Sequence, residues 1–387
     1  ASVDDMVAAT NIIDGLQVAD LGLTGNFAAV PAAPNAQVAW GANESLFLGN
    51  QDLGFNHKVS WSAAGDITDW VPNVTTGAGE QELPKAFGPI TGGYGGLYST
   101  IFQERGITRA TYVGGDLIYR FETMDETKGL IATNSLVPVA REAFFLSQEG
   151  FCHWDGQSAR PIGNDVVDRW LENISVVEDL KHMTGVWYQR DQMVRWFWKG
   201  SKSIGFHPKS GQWTTFNIPE IGPNERFYPV ITRGQGYHMD IDHPLEDPTI
   251  EAADALPRSF DDSFWDGDGL YLGGIIGNDF GVFTGENAAA IVETVDFGNI
   301  NRRTLINDAF LDIDARDFTG IKVSLITRDF RAGDPTVVSS QIESNRAGYF
   351  PVLGEGRYLR LKGEIPRGAS WDSVSAFEIE GADGGAF

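Results

Sequence analysis

The acidic and histidine side chains between His238 and Asp262 form a dense group that could do chemistry. His238, Asp240, Asp242 and His243 have the composition of a divalent-cation site. They sit in a stretch with three prolines and eight carboxylates (Asp240, Asp242, Glu246, Asp247, Glu251, Asp254, Asp261 and Asp262), opposed by Arg258 alone. A solvated loop is the plainer account of such a stretch. Asp266-Gly-Asp268-Gly opens like a calcium loop but lacks the third ligand position and the distal bidentate glutamate, so it reads as a turn. Cys152, in FFLSQEGFCHWDG, is the single cysteine. It permits neither an internal disulfide nor a cysteine zinc site, and its alternating neighbours make it a small buried residue rather than a nucleophile. Trp187, Trp196, Trp198 and Trp213 would stack sugars if exposed; strand alternation favours packing between sheets. There is no GxSxG elbow, P-loop, HExxH or strand–GxGxxG–helix pattern. No catalytic, cofactor-binding or metal-binding residue is assigned, and the chain does not read as an enzyme.

The elements that would position these residues are strands. The 387 residues include 46 glycines, 24 phenylalanines and 11 tryptophans, with apolar residues at 42%. Such a chain buries a sizeable core, and abundant glycine with abundant aromatics suits short strands joined by tight turns. Runs of four to seven residues recur in groups at 36–62, 95–122, 136–163, 185–218 and 269–295. Aligned on the turn glycines Gly114, Gly156, Gly211 and Gly285, the groups lie 42, 55 and 74 residues apart. A four-stranded propeller blade takes roughly 40–50 residues; the long third interval contains the acidic segment 238–262. Helical spacing is confined to 165–183, through Val166, Trp170, Ile174 and Val177. After Val295 the strands alternate more regularly and the charge evens out, to 11 basic against 14 acidic residues. The expected fold is all-β: an arm or partial blade over 1–35, a β-propeller-like domain of about five to seven blades over 36–295, and a β-sandwich over 296–387.

A formal net charge of −24 argues against a surface that grips nucleic acid, because phosphate affinity needs clustered lysine and arginine. It suits plain solubility equally with a wall along which DNA must slide unbound. No run approaches the roughly 18 apolar residues of a membrane span. The opening ASVDDMVAATNIIDG has no basic n-region, which points to a product folded or assembled in a reducing cytoplasm.

Four segments, in order, resemble a family of bacteriophage tail proteins. KVSWSAAGDITDW (58–70) is similar to the family's V-x-W-S-x-x-G-D-x-x-x-W strand and turn. LYSTIFQERGITRATYVGG (97–115) is similar to its IFQER blade. AFFLSQEGFCHWDGQSARPIGNDVVDRW (143–170) is similar to its FFLS…DG…PIG blade and following helix. GRYLRLKGEIPRGASW (356–371) resembles its closing strands. The family comprises the nozzle-type subunits of short-tailed phages, also called tail tubular protein B, and the related distal hub proteins. The resemblance covers about half the chain; residues 185–295 match by pattern only. It implies a β-propeller core, a hexameric ring around a DNA-ejection channel, docking to an adaptor ring near the portal and to tail fibres or spikes, no cofactor, and assembly in the host cytoplasm into the virion tail. On that reading the carboxylates of Asp240, Asp242, Glu246, Asp247, Glu251 and Asp254 would line the channel and repel DNA in transit; a solvated outer loop is the alternative.

Two other classes stay open. One is a sugar-binding or sugar-cleaving propeller. Sialidase-type cleavage needs clustered arginines, a tyrosine nucleophile and an acid, for which Arg105, Arg120, Arg141, Arg160 and Arg195 are available. The turn Ser62-Ala-Ala-Gly-Asp66 is close to a sialidase turn box, with Asp and Gly in the wrong order. The other class is a subunit near the tip of a long phage tail.

Overall fold

The fold is taken from a computed structural model. It describes the chain apart from residues 1, 4–5, 21–25, 53, 164–166, 169–170, 172–179, 199–201, 218–226, 234–269, 277–278, 283–288, 299–302, 316–318, 331–332, 342–348, 370 and 384–387. Strand accounts for 60% of it and helix for 5%, so the chain is all-β as its turn-and-strand texture requires. It divides into two compact units, Ala1–Phe283 and Thr284–Phe387.

In the first unit the described strands form six antiparallel sheets, each made of consecutive strands. Sheet 1 comprises Ser2–Val3, Met6–Asn11, Gly15–Asp20 and Ala28–Ala29, a full four strands where an arm or partial blade was expected. Sheet 2 runs from Ala36–Ala42 through Ser45–Gln51 and Lys58–Trp61 to Gly79–Glu82. Sheet 3 contains Ile90–Tyr94, Ser99–Gln103, Gly106–Gly114 and Ile118–Asp125. Sheet 4 contains Val137–Val139, Glu142–Ser147, Gly150–Trp154 and Ala159–Pro161. Sheet 5 contains Thr184–Tyr188, Met193–Phe197, Lys202–His207 and Gln212–Asn217. Sheet 6 contains Phe227–Arg233, Leu270–Ile276 and Asp279–Val282. Six blades fall within the expected range. Of the segment 165–183, Val167, Asp168, Leu171 and Leu180 are helical, while Val166, Trp170, Ile174 and Val177 lie outside the described residues.

Neighbouring side chains in a strand point to opposite faces, and here both faces are buried. In Glu142–Ser147, Phe144 and Leu146 pack with Val194 and Trp196 of sheet 5, while Ala143 and Phe145 pack with Phe102 and Ile107 of sheet 3. Ile101 and Phe102 likewise face sheets 2 and 4, and Trp196 and Phe197 face sheets 4 and 6. Each of the five successive sheet pairs therefore has its own apolar cluster. This burial on both sides is why the second strands read as unbroken apolar runs. Turns close where backbone needs glycine: Gly156 and Gly211, with φ of 91° and 69°, join third to fourth strands.

The second unit is a β-sandwich. Ala290–Glu293, Tyr358–Ile365, Lys322–Arg328 and Thr336–Gln341 form one sheet, and Thr304–Ala315 with Tyr349–Phe350, Gly354–Gly356 and Trp371–Asp383 the other. Leu311 and Ile313 from one face meet Val323, Leu325, Leu359 and Leu361 from the other. The strand Ala290–Glu293, grouped by sequence with the last blade, pairs instead with Tyr358–Ile365, so this unit begins ahead of the change in texture at Val295.

Trp196 is fully buried between sheets 4 and 5. Trp196→Ala is expected to cost about 3–5 kcal/mol in urea unfolding, whereas Ile13→Ala, at an 84% exposed position, should stay within about 0.5 kcal/mol.

Candidate functional site

The first long strand of each sheet faces a common cavity of about 630 Å³. Ala9, Gln37, Gly93, Asn134, Thr184 and Tyr228 line it, one from each sheet or from the turn that enters it. Small residues let these inner strands approach. A Cβ on Gly93 would meet the Trp40 ring at 2.5 Å, and one on Gly95 the Gly41 carbonyl at 2.0 Å. Successive inner strands also come into close contact, with Gly95 against Gly41 and Ala42 and Gly185 against Val137.

Side-chain hydrogen bonds tie each sheet to the next. Thr10 Oγ1 donates to Ala36 O at 2.9 Å, Trp40 Nε1 to Ser99 Oγ at 2.8 Å, and Tyr94 OH to Arg141 O at 3.2 Å. Trp196 Nε1 donates to Ser135 O at 2.9 Å, and Thr184 Oγ1 to Phe227 O at 3.0 Å. The lining polar groups are thus partly spent on the scaffold; Gln37 Oε1 also accepts from Asn50 Nδ2 at 2.7 Å. Among the described residues the lining includes no carboxylate, cation, histidine or thiol. A wall of this kind suits water or a neutral polar guest.

The residues singled out in sequence are dispersed. Asp240, Asp242, Glu246, Asp247, Glu251 and Asp254, with His238, His243, Asp266 and Asp268, lie outside the described residues. Their segment leaves sheet 6 after Arg233 and rejoins it at Leu270, two residues paired across the sheet. Among the described residues there is no group of three or more His, Cys, Asp or Glu placed to hold a metal ion.

Three of the arginines are tied to nearby carboxylates. Arg120 pairs with Glu122, Arg160 with Asp155, and Arg195 with Asp191. Arg141 lines a separate cleft between sheets 3 and 4. Trp196 and Trp198 are buried, and Trp187 and Trp213 pack against the same cluster. Cys152 is buried, and desolvation pushes its thiol up to about 12.

The segments carrying the family resemblance are built from scaffold residues. Gln103 of IFQER is fully buried, its amide donating to Gly88 O at 2.7 Å and Pro84 O at 3.1 Å. Asp66 accepts from Thr68 N and Oγ1, and Ser62 Oγ accepts from Leu46 N. Asp155 accepts from Gln157 N and Ser158 N across the Gly156 turn.

Consecutive sheets packed side by side around a shared cavity define a β-propeller. No protein-family model matches the sequence, and no curated protein does. Among solved structures, the chain is similar to YCF48 with a bound D1 peptide, at 11% identity over 58% of this chain and 67% of that one, TM-score 0.36. It is similar to the tricorn protease at 11% identity over 88% of this chain and 34% of that one, TM-score 0.29. The exo-β-1,3-galactanase of Phanerochaete chrysosporium aligns at 7% identity over 97% and 94%, TM-score 0.26. This chain spans about a third of the tricorn protease's own length, and likenesses this slight say nothing of what it binds or does.

Because the folded chain holds Cys152 protonated, its contribution to stability is complete at neutral pH and is lost as pH climbs from the ordinary thiol range toward 12. Iodoacetamide at about pH 9 should leave the folded protein unmodified and label it only as denaturant unfolds it, read by intact mass. Labelling without denaturant would place the thiol in contact with solvent.

Proposed function

We propose that this chain is a structural subunit of a bacteriophage tail, of the nozzle or hub type, built into a ring around the path of the ejected DNA and contacting an adaptor ring and fibres or spikes. One observation carries the reading. The segments that resemble the nozzle family place their polar residues (Ser62, Asp66, Gln103, Asp155) in turns and strand ties, and their apolar residues between sheets. Shared residues of that kind belong to a shared scaffold. Six packed sheets, the inner four of them buried on both faces, suit a part that bears load and presents loops to neighbours. On this reading the cavity inside one subunit, about 630 Å³ and neutral, is not the conduit; DNA passes through the ring that several subunits enclose.

Gold-labelled antibody against the purified protein should mark the tail in electron micrographs of virions, and mass photometry of detached tails should give six copies by head-to-tail closure. Absence of the protein from virions would overturn the reading, and another copy number would overturn the ring.

A further inference from the structure

Between sheets 3 and 4 lies a second cleft, of about 240 Å³. That is the room of about eight water molecules, enough for one sugar unit. The turn after the first strand of sheet 3 supplies Leu97 and Tyr98, the third strand supplies Arg109, and sheet 4 supplies Arg141 and the Asp155–Gln157 turn.

Its charges are unequally balanced. Asp155 is turned toward its own loop: Ser158 N and Gln157 N donate to it at 2.7 and 2.8 Å, and Arg160 lies 3.4 Å away. The hydrogen bond from Ser158 N leads the causes that hold its carboxyl below the usual range. Arg109 stacks over the Tyr98 ring at 4.8 Å and pairs with Glu122 at 2.9 Å. That fixes its guanidinium in place. Arg141 forms no ion pair among the described residues, although its carbonyl is anchored by Tyr94 OH at 3.2 Å. Arg141 is therefore a lining residue with no ion pair among the described residues, its backbone fixed, in a protein with a formal charge of −24.

An anion alone would need only the charge. Here Arg141 shares the lining with Leu97, which is 62% exposed, with Tyr98, and with Gln157, which carries a neutral amide. A guanidinium fork matches a planar carboxylate, an apolar lip covers the C–H face of a ring, and a neutral amide exchanges hydrogen bonds with hydroxyls. We infer that this cleft binds a carboxylated sugar, a uronic acid unit of a surface polysaccharide, with Arg141 holding the carboxylate. The inference concerns binding and requires no bond to break. It does not rest on the tail reading, because it is tested on the isolated protein.

The probes are methyl β-glucuronide, methyl β-glucoside and inorganic phosphate, titrated at millimolar concentrations and followed by saturation-transfer NMR and calorimetry. The glucuronide should bind at least about tenfold more tightly than either of the other two. Arg141→Ala should weaken it by about tenfold or more, with an unchanged melting temperature because the side chain is exposed and only its backbone carbonyl ties the sheets. Arg141→Lys should recover part of the loss, and Leu97→Ala should weaken the glucuronide without creating affinity for phosphate. Glucoside binding equal to glucuronide would remove the role of the carboxylate. Phosphate binding as tightly would make this a general anion cleft and overturn the sugar assignment. No glucuronide binding to the wild type, or full binding by a folded Arg141→Ala protein, would overturn the site itself.

Discussion

The structure of the first unit depends on one arrangement: each inner sheet is apolar on both faces and is clamped between its neighbours. Phe144 and Phe145, adjacent in sequence, belong to different cores, as do Ile101 and Phe102. At about 25 cal/mol per Å² of apolar surface, this stacking is the dominant favourable term. The hydrogen bonds from Thr10, Trp40, Tyr94, Trp196 and Thr184 to the next sheet add direction to it. Burial drives the sheets together, and the hydrogen bonds fix how far one slides along another. The shared cavity follows, because the inner strands are lined by glycine, alanine and threonine while the bulk sits farther out, between the sheets.

This division of labour explains where polar chemistry is found. The space between sheets is filled by rings and aliphatic chains, and the inner wall is neutral. Many charged side chains lie in the turns and outer strands, among them Arg120, Arg141, Arg160 and Glu122. The cleft lined by Arg141 lies among such turns. Its parts come from two sheets whose mutual position is fixed by the core that Phe102 and Phe145 share.

Much of the fold was legible because its signals are local. The turn glycines Gly156 and Gly211 fall between third and fourth strands and Gly114 ends a third strand, all with positive φ as tight turns demand, while Gly285 lies outside the described residues. Unbroken runs such as Ala143–Ser147 marked strands buried on both sides. The first sheet was not legible, because its outer strands, Ser2–Val3 and Ala28–Ala29, are too short to display a period. Gly79–Glu82 is polar and largely exposed, so hydrophobic pattern passes over it. Ala290–Glu293 looked like part of a blade because nothing local announces a partner some seventy positions along the chain. The site was less legible still. Arg109 and Arg141 meet at one cleft only through the packing of two sheets, and sequence spacing does not record that. The neutral cavity wall has no motif to find.

The order in which partners appear along the chain also bears on how the protein is made. In the first unit every hydrogen-bonded strand pair among the described residues joins strands that are consecutive in sequence. A blade can therefore close as soon as its own residues have left the ribosome, and each finished blade offers an apolar face to the next. The second unit obeys a different clock. Thr304–Ala315 finds its long partner in Trp371–Asp383, so that sheet cannot be completed until this much later strand has been made. One unit closes strand by strand as it emerges, and the other waits for a distant strand.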